Sequence, residues 1–332
     1  RDQPVRNGGR GGGGSRAVNM AAPRKVIIDL DVGTDDAWAL WMLLQCEKTY
    51  GYEVIAITCV NGNTGVENVV ENTLTVLSAM GRTDVPVYRG AHEPLVHPRG
   101  TKYDGNFHGQ NGLGDIDFGI EVNRTPLQEE HAVTAIQRLL NAHKGSIDLI
   151  FIGPLTNLAL AMKLRPGLLK QASHLYIMGG NRHGVGNITW SAEFNFHTDP
   201  EAAHIVLQSD CCPISIVPWE TCQRHAVPLA WRMEELGADE TKPMLRILNA
   251  VERKVYGQRP NWMPCDAYLV AAFIQPDCVL KAHSYTVDVE LHGALTRGQM
   301  VLDHRGAGAG HVRIIDDIDE GKFKELCWKT VA

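Results

Sequence analysis

Three observations on the sequence predict an α/β fold, an open and mainly parallel sheet with helices on both faces. Short apolar runs recur with helical segments between them, the alternation that βαβ units produce. The first of them, Val26-Ile27-Ile28, is apolar without alternation, as a strand buried on both faces reads. Directly after it, K-V-I-I-D-L-D-V-G-T-D-D-A-W-A-L (Lys25 to Leu40) gathers Asp29, Asp31, Asp35 and Asp36 into eight positions. Charge thus collects at the carboxyl end of a strand, where open α/β sheets bind their ligands.

The elements come in order along the chain. Val26 to Leu30 is the first strand, with the apolar helix Ala37 to Leu44 after it. Val54 to Val60 is the second strand, Gly65 to Met80 a helix and Val85 to Tyr88 the third strand. Pro126 to Ala142 is a helix, Ile147 to Ile152 the fourth strand and Leu155 to Leu164 a helix. Leu175 to Met178 and Ile214 to Pro218 are the fifth and sixth strands, separated by the helix Asp199 to Gln208, which Asp199 caps and Pro200 begins. After Cys222 the pattern turns helical as far as Pro276, and Tyr285 to Leu291, Met300 to His304 and Val312 to Ile315 close the chain as strands. Two connections are long, Gly90 to Thr125 and Gly179 to Thr198; both are polar and glycine-rich, as binding loops are.

Composition narrows the partners. With 332 residues, 44% hydrophobic and 21% charged, the chain can bury a sizeable core. A formal charge of −6 gives no basic footprint for nucleic acid, so a small molecule is the expected partner. No apolar run approaches the roughly 18 residues of a membrane span. Residues 1–19, rich in Gly and Arg, read as a disordered tail, and 20–332 as a single domain. The eight cysteines include no C-x-x-C pair, which suggests reduced thiols and a cytoplasmic setting. Of the sequons at Asn123 and Asn187, the second falls in the polar loop Gly179 to Thr198, where a glycan would obstruct a binding site.

Four carboxylates packed into one turn repel one another and require a cation, and oxygen ligands suit Ca²⁺, Mg²⁺ or Mn²⁺. A helix dipole alone accounts for Asp35 and Asp36 but not for Asp31 or Gly33. If the sheet is parallel, the segments after its other strands converge on the same crevice. Asn61-Gly62-Asn63 comes after the second strand, Ile152-Gly153-Pro154-Leu155-Thr156-Asn157 after the fourth and Met178-Gly179-Gly180 after the fifth. Asn187, Glu193 and Asn195 stand in the polar loop beyond. The neutral amides of the asparagines can donate to and accept from sugar hydroxyls.

These segments, with S-A-E-F-N-F-H-T-D-P-E-A-A and the late C-D-A, resemble the inosine-uridine preferring nucleoside hydrolases, in the same order and over nearly the whole chain from Arg24. The resemblance implies Ca²⁺-dependent hydrolysis of the N-glycosidic bond of purine and/or pyrimidine ribonucleosides, in a homodimer or homotetramer. It makes Asp31 the general base and a metal contact, and Asp36, Asp266 and the Ile152 carbonyl further metal ligands. It sets Asp35 on the ribose 2′-hydroxyl, Asn63, Met178, Asn187, Glu193 and Asn195 around the ribose, and Asp29 in support. His108 matches a base-proximal histidine and is the candidate catalytic group at the leaving base; Trp262 is a candidate to stack on it, with Tyr256 and Arg259 nearby, while Trp190 and Trp219 read as packing. Cys265 departs from the His or Trp that two subgroups carry before the late aspartate, and resembles a third. Two rival readings remain at this point: a haloacid-dehalogenase-like phosphatase using Asp29 as nucleophile with Asp316-Asp317, and a non-catalytic nucleoside-binding protein.

Overall fold

Val26, Ile28 and Leu30 face one hydrophobic core and Ile27 the other, so the first apolar run forms the wall between two layers of helices. The computed structural model describes residues 23–96, 107–209, 212–306, 308 and 310–332; the tail expected at 1–19 lies outside the described residues. Its strands are β1 (Arg24–Leu30), β2 (Tyr52–Cys59), β3 (Val87–Arg89), β4 (Leu127–Gln128), β5 (Ile147–Phe151), β6 (His174–Met178), β7 (Ile214–Val217), β8 (Val227–Pro228), β9 (Asn261–Trp262), β10 (Val279–Tyr285), β11 (Val287–Val289), β12 (Met300–Leu302) and β13 (Val312–Ile318). Nine of them form one sheet in the order β10-β13-β7-β6-β5-β1-β2-β3-β4, while β8–β9 and β11–β12 are separate two-stranded ribbons. Every neighbouring pair in the large sheet is parallel except β10 with β13.

The helices are α1 (Thr34–Tyr50), α2 (Val66–Met80), α3 (Ala132–Ala142), α4 (Thr156–Leu164), α5 (Phe194–Thr198), α6 (Pro200–Leu207), α7 (Trp219–Arg224), α8 (Pro243–Tyr256), α9 (Cys265–Ile274) and α10 (Glu320–Val331). One core is built from α1, α2, α8, α9 and α10, the other from α3, α4 and α6. All of α9 is buried, and so are Trp38, Leu40 and Leu43 of α1. Helices that are apolar all round belong in an interior, and these two pack on each other. Their N-termini therefore open at the same end of the sheet, deep inside the molecule.

Several boundaries differ from the sequence reading: the stretch after Cys222, expected to be helical as far as Pro276, contains the ribbon strands β8 and β9, and two further segments depart from expectation. The segment expected to begin a helix at Pro126 first forms β4, because the Pro126 carbonyl accepts from the Val87 N–H (2.9 Å) and draws the chain onto the sheet edge. The helix starts at Ala132, where His131 Nδ1 accepts from the Val133 N–H. The strand expected at Tyr285 to Leu291 is divided: β10 ends at Tyr285 on the large sheet, and β11 pairs instead with β12. As expected, Asp199 caps α6, its Oδ1 accepting from the Ala202 N–H at 3.0 Å.

Candidate active site

The carboxyl ends of β1, β2, β5 and β6 open into a cavity of about 640 Å³. Asp31 comes directly after β1, and α1 starts soon enough after it that Asp35 and Asp36 occupy the first helical turn. The Asp36 carboxylate accepts from the Gly33 N–H (2.8 Å) and the Asp31 N–H (3.1 Å), so it does serve as a cap. It has a second set of neighbours. Asp266 enters on the first turn of α9, and Asp35, Asp36 and Asp266 offer oxygens that all lie within 4.8 Å of one another.

Asp31 sits beside this trio, with Oδ2 accepting from the Asn63 N–H at 2.6 Å. Two glycines make room for it. A Cβ on Gly62 would fall 2.0 Å from Asp31 Oδ2, and one on Gly153 3.0 Å from Oδ1. Burial, then the charge of Asp36, pushes the Asp31 carboxyl well above the usual range; burial, then Asp35, does the same to Asp266 and lifts Asp36 to about 7. Carboxylates this close and this dry remain ionised together only beside a cation. The donor set is all oxygen, which suits a hard divalent ion and not a thiolate- or imidazole-seeking one.

The next wall is built from amides and one further acid. Asn195 Nδ2 donates to the Ile152 carbonyl (2.9 Å) and the Met178 carbonyl (3.2 Å), tying together the ends of β5 and β6. Glu193 caps α5 and accepts from the backbone N–H groups of Gly180 (2.8 Å), Asn195 (2.9 Å) and Phe196 (3.1 Å); burial nevertheless raises its carboxyl to about 7. Gly180 has φ +67°, and the Phe196 ring lies 2.9 Å from where its Cβ would be, so only glycine fits this strand exit. Asn187 is exposed on the loop beyond. Glu220 of α7 holds that loop by accepting from the N–H groups of Arg182 (2.7 Å) and His183 (2.8 Å).

The opposite end of the cavity is aromatic and more open. His108 Nδ1 accepts from the Thr34 N–H at 3.1 Å, which leaves the ring proton on Nε2, 3.7 Å from Asp35 Oδ1. Burial lowers the His108 pKa, opposed by the Asp35 charge, so the ring is a neutral donor near pH 7. Phe107, Tyr256 and Arg259 continue this end, with the Arg259 guanidinium 4.7 Å over the Phe107 ring. Contact with Cys222, and then burial, pushes the Cys265 thiol well above its ordinary pKa, which keeps it protonated.

Asp31, Asp35, Asn63, His108, Ile152, Met178, Asn187, Glu193, Asn195 and Asp266 therefore line one cavity, and Asp36 lies immediately behind it. Trp262 does not. It is fully buried, and its indole N–H donates to Glu252 at 2.6 Å, so its ring has no face open to stack on a ligand in the cavity. Trp219, read from sequence as packing, lines the cavity, as does Gln223. Both come after β7, and the strand-end logic that places the other residues is the signal that points to them.

Asp29 has no exposed surface and accepts from Thr58 Oγ1 (2.6 Å) and Asn157 Nδ2 (2.8 Å), which keeps its carboxylate out of the cavity lining. Asp316 is ion-paired with Arg182 and His283 elsewhere. The phosphatase reading has no site to occupy.

Comparison with known proteins gives a consistent result. Residues 26–325 match the family model described as inosine-uridine preferring nucleoside hydrolase. The inosine-uridine preferring nucleoside hydrolase of Leishmania major is 36% identical over 292 residues, covering 85% of this chain and 88% of that protein. The pyrimidine-specific ribonucleoside hydrolase RihB of Escherichia coli is 33% identical over 287 residues, with the same coverage of 85% and 88%. Among solved structures, an inosine-guanosine nucleoside hydrolase superimposes with a TM-score of 0.84 at 31% identity, covering 93% of this chain and 98% of that one.

Proposed function

Because the chain belongs to the inosine-uridine preferring nucleoside hydrolase family and hydrolyses N-glycosyl bonds of ribonucleosides, we propose that Asp31 is its general base and that its acidic cluster holds Ca²⁺. The observation that carries the reading is the convergence of Asp35 and Asp266 on the cavity lining, beside Asp31 and with Asp36 immediately behind them. Asp31, Asp36, Asp266 and the Ile152 carbonyl are the donors assigned to a Ca²⁺ ion, which when bound supplies Lewis acidity and a seat for the vicinal ribose hydroxyls.

The residues divide the remaining work. Breaking an N-ribosidic bond passes through a ribosyl cation, so a water must be activated on one face while the base leaves on the other. Asp31 takes the proton of that water; its burial and the charge of Asp36 raise its affinity for a proton. Asp35 accepts from the 2′-hydroxyl. Asn63, Asn187 and Asn195 orient the sugar, with Met178 packed against it, and Glu193 offsets the developing positive charge. His108, neutral and carrying its proton on Nε2, donates a hydrogen bond at the leaving base.

The homodimer or homotetramer and the cytoplasmic setting remain part of this proposal. The seven described cysteines are buried, which suits thiols in a reducing compartment. No helix among the described residues is long and apolar enough to cross a membrane. A panel of purine and pyrimidine ribonucleosides, assayed for reducing sugar with and without chelator, tests the reading. Release lost with chelator and restored by Ca²⁺ supports it; chelator-resistant release removes the metal, and undiminished activity in Asp31→Asn removes the base.

A further inference from the structure

Beneath the cavity lies a charged unit that takes no part in the chemistry proposed for the site. Arg232, in the π-helical turn Trp231–Leu236, and Glu252 of α8 form an ion pair at 2.7 Å in which neither side chain has any exposed surface. Glu252 Oε1 also accepts the indole N–H groups of Trp38 (2.9 Å) and Trp262 (2.6 Å). The Arg232 guanidinium lies 4.5 Å and 5.6 Å over the same two rings, and donates to Asn249 Oδ1 at 2.8 Å. Its Nε and Nη2, like Glu252 Oε2, find no hydrogen-bond partner among the described residues, so the pair is a charge contact. Buried ion pairs are poor devices for stability, since packed hydrophobic side chains of similar volume commonly do as well or better. What such a pair does impose is one geometry.

The two donors stand at telling places in the chain. Trp38 lies two residues after Asp36 on α1, and Trp262 lies four residues before Asp266, on the ribbon strand that leads into α9. A single oxygen of Glu252 thus ties the segment bearing Asp35 and Asp36 to the segment bearing Asp266. A second tie runs from α8 to the latter segment, the Tyr256 hydroxyl donating to the Met263 carbonyl at 3.3 Å. The three carboxylates repel one another and come from opposite ends of the sequence, so their spacing has to be imposed from outside the cluster.

We propose that Glu252, with Trp38 and Trp262, is a positioning unit that fixes the separation of Asp36 and Asp266 and thereby sets the affinity of the metal site. The proposal rests on the reading of the acidic cluster as a Ca²⁺ site. Groups that bond directly to metal ligands commonly govern affinity; here the unit acts instead through the backbone segments that carry Asp36 and Asp266.

Glu252→Gln strands the Arg232 charge in the core and is at risk of not folding, so Trp262→Phe and Trp38→Phe carry the test. Each deletes one N–H and keeps a ring. Trp231→Phe is the packing control, since Trp231 lies 6.3 Å from Trp262 in the same aromatic cluster. Ca²⁺ binding is measured directly by titration calorimetry on the folded proteins, with kcat and KM determined at saturating Ca²⁺. We expect Ca²⁺ affinity to fall roughly 10–100-fold in both test variants, kcat to recover toward the parent value once Ca²⁺ saturates, KM to hold, and the control to bind as the parent does. Test variants that bind Ca²⁺ as tightly as the parent, whatever their melting temperatures, overturn the positioning unit alone. A parent chain that binds no divalent ion overturns it together with the metal reading.

Discussion

The two ends of the cavity are built on opposite principles. At the end assigned to the sugar, Asp31, Asp36, Glu193, Asn195 and Asp266 are each 5% exposed or less, and four of them are fixed by hydrogen bonds to backbone. These groups stand on strand exits and helix starts of the central sheet, which cannot shift without disturbing the core. At the base end, Phe107 is 39% exposed, and Arg259, Pro260 and Asn261 are exposed as well. They project from a loop and from the helical region around α8, outside the sheet. Chemistry on ribose needs atoms held to a fraction of an ångström. Choice among bases tolerates contacts that can be exchanged, and such contacts are most easily exchanged on loops.

If the sugar end carries the reaction, its removal should be felt by every substrate. Asp31→Asn keeps an acceptor for the Asn63 N–H but removes the base, and kcat should fall by about 10⁴-fold for purine and pyrimidine nucleosides alike, at the upper end of general-base effects. Steady-state kinetics on both classes measures this. A loss confined to one class would break the comparison, because it would give Asp31 a part in base choice.

If Asp35 accepts from the 2′-hydroxyl, a substrate without that group leaves its half-buried carboxylate unpaired. Sites built to bond a hydroxyl reject the analogue lacking it by about 10⁴-fold, so 2′-deoxyribonucleosides should show a kcat/KM lower by that order than the matching ribonucleosides. Comparable turnover of the two would mean that Asp35 faces only its carboxylate neighbours.

A smaller effect is expected at Glu193. Glu193→Gln cancels the charge and keeps one oxygen, enough for the Gly180 and Phe196 N–H groups or for that of Asn195 but not for both sets, and kcat should drop by about 10²-fold if that charge offsets the ribosyl cation. The loss should appear in kcat more than in KM. A change in KM alone would make Glu193 a ground-state contact and narrow the chemical part of the sugar end to the acidic cluster.

The contrast between the ends also explains what could be read in advance. Asp31, Asn63, Ile152 and Met178 are legible because each stands at the end of an apolar run, and parallel strands bring their carboxyl ends together. Asp266 has no such local signal; it stands on an apolar helix far along the chain, and only resemblance connects it to the cluster. Trp262 is misread from sequence for a related reason. Its partner Glu252 lies ten residues earlier, and the Arg232 that makes a buried Glu252 tolerable lies twenty residues before that, pairings no periodicity reveals. The edge strand β4 depends on the Val87 N–H, almost forty residues away, which local propensity cannot weigh.

The smallest predicted effect bears hardest on the comparison. Arg259 lies over Phe107 at an exposed position, where a cation–π contact contributes about 0.5–1 kcal/mol. Arg259→Met keeps the apolar stem and removes the guanidinium, which takes away both that contact and a cation lining the cavity. The ratio of kcat/KM between a purine and a pyrimidine nucleoside should then shift by about 2–5-fold, the equivalent of that energy. Ca²⁺ dependence and discrimination against 2′-deoxyribose should stay as they were, because the acidic cluster and Asp35 belong to the other end. Phe107 also packs edge-on against His108 at 4.8 Å and Tyr256 at 5.7 Å, so an Arg259 effect relayed through Phe107 would reach the imidazole. In that event kcat would fall equally for all bases, and the base end would be part of the reacting machinery instead of a separable selector.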